Sequence, residues 1–98
     1  MRLKGKVAVI TGSARGIGQA TALKFAREGA KVVVCDLTPE LIEETVKMIR
    51  AEGGDAIGAN VDVRDMQSIR RMVDQTLSTF GRIDVLVNNC LLYTSDAA

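Results

Sequence analysis

Four short, almost unbroken apolar runs recur about every 25 residues, and each of the first three gives way to a stretch whose apolar residues fall at helical spacing. Runs of this kind suit parallel strands covered on both faces, because helical crossovers bury both sides of the sheet. Val7-Ala8-Val9-Ile10-Thr11 is the first run, ended by Gly12. Helix formers follow from about Gly16 to Glu28, among them Ala20, Ala22, Leu23, Phe25 and Ala26, and Gly29 supplies a C-terminal glycine. Lys31 to Cys35 is the second strand. Thr38 then offers an N-cap and Pro39 a first-turn proline to a helix whose Leu41, Ile42, Thr45, Val46 and Ile49 share a face. Gly53-Gly54 end that helix, and a third strand runs from about Asp55 to Val61. Asp65 can cap a third helix with Ile69, Met72, Val73, Thr76, Leu77 and Phe80 on its inner face. Gly81 ends it, and Ile83 to Val87 reads as a fourth buried strand. Strands joined by such crossovers lie parallel, with right-handed connections. The pattern therefore predicts an α/β chain with strand order 3-2-1-4, the N-terminal half of a Rossmann-type doubly wound parallel sheet.

Composition closes off several chemistries. The 98 residues carry 13 Lys and Arg against 12 Asp and Glu, a net charge of +1 with no clustering, so there is no electrostatic footprint for nucleic acid. With no His, imidazole bases and His metal ligands are excluded, and Cys35 and Cys90 stand far apart with no metal-type or disulfide-framework spacing. No metal site is expected. At 47% hydrophobic and 3% aromatic the core must be aliphatic, and a chain this short buries roughly 60–65% of its unfolded surface, which leaves little stability in hand. No apolar run is long enough to span a membrane, and the opening Met-Arg-Leu-Lys-Gly-Lys lacks the apolar core of a signal peptide. The expectation is a cytoplasmic chain with no membrane partner.

The chemistry gathers in the turn after the first strand, Thr11-Gly12-Ser13-Ala14-Arg15-Gly16-Ile17-Gly18. A glycine-rich turn entering a helix presents backbone N–H groups and the positive end of the helix dipole, the parts that hold a pyrophosphate. Gly12 permits the tight turn, Gly16 lets a cofactor approach the backbone, and Gly18 lets the helix pack on the strand. The spacing is GxxxGxG, which differs from GxGxxG and fails the GxxxxGK[ST] of triphosphate loops. A plain strand-to-helix turn is the competing reading of the glycines alone. Asp36 closes the second strand, where a carboxylate can accept hydrogen bonds from both hydroxyls of an adenosine ribose and repel the extra phosphate of NADP. Its alternative is a cap on the turn into the next helix. Arg15 argues the other way, since a cation beside the loop can meet a 2′-phosphate, or it can be a solvated surface residue. Asp62-Val63 and Asn88-Asn89 follow the third and fourth strands and flank the loop as candidate walls of an adenine pocket.

With these residues in place the chain resembles the short-chain dehydrogenase/reductases. Their TGxxxGxG motif is present whole as TGSARGIG; Asp36, Asp62-Val63 and Asn88-Asn89 match the family's residues after strands two, three and four, and GRIDVLVNN is typical. The resemblance covers residues 1–89, and its look is of the 3-oxoacyl-(acyl-carrier-protein) reductase branch. It implies an NAD(P)-dependent oxidoreductase that moves a hydride reversibly between the nicotinamide and a carbonyl or alcohol, with a small-molecule or acyl-carrier substrate and a homotetrameric or dimeric full-length protein. It further implies that Gly12, Ser13, Arg15, Gly16, Ile17 and Gly18 line the dinucleotide. Asp36 and Leu37 would take the adenosine ribose, Asp62 and Val63 would lie beside adenine, and Asn88 and Asn89 would support the fourth strand and the cofactor floor. Asp36 tilts the cofactor toward NAD, with NADP the alternative.

Where the family continues Asn-Asn-Ala-Gly, this chain reads Asn88-Asn89-Cys90-Leu91-Leu92 and ends at Ala98. Residues 90–98 read as a non-family tail, read-through or disordered, and the family's catalytic residues fall beyond this point. Tyr93 is no substitute: the family's catalytic Tyr needs a Lys four residues on, and Ala97 stands there. No catalytic residue is therefore assigned, and the 98-residue chain is expected to be inactive and poorly soluble, with an exposed apolar edge at its last strand. A non-catalytic dinucleotide-binding fragment is the alternative function. An S-adenosylmethionine methyltransferase is a third, disfavoured by Asn88-Asn89 and the glycine spacing.

Overall fold

The computed structural model describes residues 2–89. Its elements are β1 (Val7–Thr11), α1 (Gly16–Arg27), β2 (Lys31–Asp36), α2 (Pro39–Ala51), β3 (Asp55–Asn60), α3 (Met66–Phe80) and β4 (Val85–Asn88). All pairings are parallel and the strand order is β3-β2-β1-β4, as the crossover pattern requires. The register sets Ile10 beside Val34 and Val34 beside Gly58, and on the other side Ile10 beside Val87.

Because successive side chains leave a strand on opposite faces, the sheet has two cores. Ala8, Ile10, Val32, Val34 and Ala56 pack with Ala22 of α1 and with Ile42, Val46 and Ile49 of α2. Val9, Val33, Cys35, Ala59 and Val61 pack on the opposite side with Met72 of α3. Gly58 lets α2 approach, for a β-carbon there would stand 2.5 Å from Ile42 Cγ2. Two aspartates tie the ends. Asp65 caps α3 by accepting from the Gln67 N–H at 3.0 Å, and Asp84 Oδ2 accepts from the Val7 N–H at 2.8 Å. Gly81 takes the left-handed φ of +80° that ends α3.

Three sequence expectations need correction. Thr38 is the N-cap residue of α2, but its hydroxyl caps nothing; it accepts instead from Arg15 Nη2 at 3.3 Å. The inner line of α3 runs through Ser68, Met72 and Thr76, which leaves Leu77, one residue and about 100° further round, 45% exposed. The fourth strand is shorter than expected and only half covered. Ile83 precedes it, and Leu86 is 66% exposed because β4 lies at the sheet edge, paired only with β1 among the described residues.

Candidate functional site

In a parallel sheet every strand delivers its last residue to the same end, where ligands of doubly wound folds bind. Here that end collects Thr11, Asp36, Asn60 and Asn88. The glycine turn leaves β1 at its centre. Gly12 and Gly16 adopt φ of +62° and +57°, conformations that favour glycine. Gly18 is required by packing, since a β-carbon there would collide with the Gly12 carbonyl. Around Gly16 the corresponding space is open, with nothing within 4 Å. Arg15 is the N-cap of α1, no side chain caps this helix start, and its first turn carries no acidic residue. The positive end of α1 thus faces the turn with donors available to an anion.

Ser13 departs from what the resemblance implies. It is fully buried: its Oγ donates to the Ile10 carbonyl at 2.6 Å and accepts from the Cys35 N–H at 3.0 Å, while its own N–H donates to the Cys35 carbonyl at 3.0 Å. With hydroxyl and amide so engaged, Ser13 stitches β1 to β2 instead of turning its side chain to the loop's outer surface. The next residue carries the stitch to the ribose candidate, because the Ala14 N–H donates to Asp36 Oδ2 at 3.1 Å. Asp36 Oδ1 accepts from the Leu37 N–H at 2.7 Å and lies 3.7 Å from Arg15 Nη2. Arg15 and Asp36, which the sequence set against each other as NADP and NAD signals, therefore form one pair. Ile17 and Leu37 are well exposed beside them.

The outer positions behave differently. Asp62 Oδ1 accepts from Arg64 Nε at 3.1 Å and from the Arg64 N–H at 2.9 Å, the guanidinium first and the amide second holding its carboxyl below the usual carboxylate range; Val63 next to it is exposed. At the far edge Thr11 links both asparagines. Its Oγ1 donates to Asn88 Oδ1 at 3.0 Å and accepts from the Asn89 N–H at 3.2 Å, and Asn89 Nδ2 donates to the Thr11 carbonyl at 3.0 Å. Asn88 and Asn89 are thus joined to the glycine turn itself, and Asp62 and Val63 stand at the opposite edge with Asp36 between. Three strand intervals separate the edges, about 14 Å. The glycine spacing by itself gives Thr11 no role. The signal that points to it is a threonine ending a buried strand directly before the glycine, where a hydroxyl can pair across to the next strand's end. Cys90 and Tyr93 lie outside the described residues. No metal-type cluster of His, Cys, Asp and Glu occurs among the described residues, and no helix there is long and apolar enough to cross a membrane.

A family model described as short chain dehydrogenase matches residues 6–96. An uncharacterized oxidoreductase of Bacillus subtilis is 50% identical over 88 residues, covering 90% of this chain and 32% of the relative. A 3-oxoacyl-(acyl-carrier-protein) reductase of Thermotoga maritima is 45% identical over 89 residues, covering 91% of this chain and 36% of the relative. Among solved structures, a hydroxysteroid dehydrogenase from Escherichia coli superimposes with a TM-score of 0.87 at 39% identity, over 89% of this chain and 37% of that one. A 7α-hydroxysteroid dehydrogenase complexed with NADH and 7-oxo glycochenodeoxycholic acid does so equally well, with 34% of that chain covered. The chain spans about a third of the length of the relatives it matches.

Proposed function

This chain belongs to the short-chain dehydrogenase family, and from that membership we propose that it is the dinucleotide-holding part of an NAD(P)-dependent oxidoreductase acting on a carbonyl or alcohol. The carrying observation is the coupling of Asp36 to the glycine turn through the Ala14 N–H. It puts an acceptor for sugar hydroxyls at a fixed place beside the open N-terminus of α1.

The residues present suit a dinucleotide. The uncapped start of α1 and the open space at Gly16 favour a pyrophosphate over Gly12, Arg15, Gly16, Ile17 and Gly18. A carboxylate offers about four lone-pair directions, so Asp36 can serve the Ala14 and Leu37 amides and still accept from a ribose. Leu37 and Val63 offer apolar surface on either side of that position for adenine, with Asp62 held by Arg64 at its rim. Thr11, Asn88 and Asn89 brace the floor under the glycine turn. When bound, the nicotinamide supplies or accepts the hydride. The described residues contribute binding and orientation, and we assign none of them a proton-transfer role.

NAD is the favoured cofactor. A 2′-phosphate would bring negative charge against Asp36, and Arg15, the cation that would welcome it, is already paired with that carboxylate. Likeness to the 3-oxoacyl-(acyl-carrier-protein) reductase supports an acyl-carrier or small-molecule ketone as the substrate of the whole protein, for which a dimer or tetramer is proposed from family membership alone. Fluorescence titration with NADH and NADPH tests the assignment. NADH should bind about tenfold or more tightly than NADPH, and Asp36→Ala should erase most of that difference, weakening NADH through the lost charged acceptor and easing NADPH through the lost repulsion. Equal affinities before and after the substitution would remove Asp36 from the ribose site.

A further inference from the structure

The outer side of β3 is an edge of the sheet among the described residues, and an edge strand normally shows a row of unpaired N–H and C=O groups, whose acceptor half alone can recruit the N–H groups of another chain. Backbone groups alternate sides along a strand. The Val61 N–H donates inward to the Asp36 carbonyl at 2.9 Å, so the odd-numbered residues of β3 address β2, and Ala56, Gly58 and Asn60 turn outward. Each of these three outward carbonyls is met by a side chain. Arg50 Nη2, from the last turn of α2, donates to the Ala56 carbonyl at 2.8 Å. Gln75 Nε2 of α3 donates to the Gly58 carbonyl at 3.1 Å. Ser68 Oγ of α3 donates to the Asn60 carbonyl at 3.4 Å and accepts from the Asp62 N–H at 3.0 Å, two contacts that a neighbouring strand's peptide would otherwise make. The edge is not simply hidden under a helix, for an open groove of about 360 Å³ lined by Ile42, Val46, Arg50, Gly58 and Asn60 runs beside it.

We propose that Arg50, Gln75 and Ser68 act as surrogates for a missing strand and hold the β3 edge shut against pairing with a second copy of this chain. Three donors from two different helices reach three successive outward carbonyls, so removing two of them restores the row that an identical edge could join in antiparallel fashion. Ser68 is buried and would remain, keeping α3 seated.

The test compares the full chain with and without Arg50→Ala/Gln75→Ala, in a Leu86→Lys background that quiets the β4 edge, by sedimentation velocity across a concentration series. The double variant should dimerise at a concentration about tenfold lower, the equivalent of one net hydrogen bond. Amide exchange should show residues 56–60 newly protected as the dimer forms. Unchanged sedimentation with an unchanged far-UV spectrum overturns the proposal, as does association that leaves residues 56–60 unprotected. If the double variant loses its helical spectrum, Gln75→Ala alone decides. That residue lies at a solvent-exposed helix position where Ala is well tolerated, so dimerisation in the same direction supports the proposal and an unaltered monomer rejects it.

Discussion

Asp84 shows how much of this chain hangs on single polar atoms. Its Oδ2 accepts from the Val7 N–H at the start of β1, and its Oδ1 lies 2.7 Å from Arg82 Nη2. The amide first and the guanidinium second hold its carboxyl below the usual carboxylate range. A depressed folded-state value means that the pairing stabilises the fold above the unfolded carboxyl's titration and is lost as pH falls through the folded one. The melting temperature should therefore drop on acidification below the ordinary carboxylate range, and Asp84→Asn should flatten that drop while lowering stability at neutral pH. Parallel acid melting curves for the two proteins check this; identical slopes would exclude Asp84 as a source. At this scale the sequence was legible where backbone conformation dictates the residue, as at Gly12 and Gly16, or where close packing does, as at Gly18. It was not legible at Ser13, whose hydroxyl faces Ile10 and Cys35, because a small polar residue in a loop motif carries no mark of which side it faces.

Among the elements, the sequence told apart strands and helices but not all of their ends and faces. The face of α2 through Ile42, Thr45, Val46 and Ile49 is buried as its periodicity requires, since that helix lies flat on a sheet covered from one side by α1 and α2. Among the described residues helix α3 is alone on the opposite face, so only a narrow line of it is buried and Leu77 escapes it. The two helix caps looked equivalent as sequence and are not. Asp65 binds the Gln67 amide, whereas the Thr38 hydroxyl is turned toward Arg15. Asp65→Ala should cost about 1 kcal/mol of unfolding free energy, and Thr38→Ala a few tenths. Urea denaturation of the two variants separates them, and equal losses would contradict the assigned cap.

Across the described residues as a whole, the two sheet edges are treated in opposite ways. The row Ile57, Val33, Val9 and Leu86 crosses one face of the sheet in register. Its middle members are buried, while Leu86 at the β4 end is 66% exposed. Such an edge favours association, so Leu86→Lys should raise the concentration at which the chain aggregates without lowering its melting temperature. Light scattering during concentration, paired with a thermal melt, checks both halves, and an unchanged onset would clear β4 of the effect. The strand order that makes β4 an edge was read from crossover length; the solvent exposure of its side chains depends on neighbours that periodicity alone does not describe. The same order governs how the molecule assembles in time. Val7 of β1 pairs with Lys31, 24 residues on, but takes its remaining amide partner from Asp84, 77 residues on. Closing the longer loop costs about 1 kcal/mol more in chain entropy. During synthesis, the residues now on β1 must wait half-dressed on the nascent chain until almost the entire described segment has left the ribosome. The threonine that locks the asparagines is thus a closing latch, set only when β4 arrives.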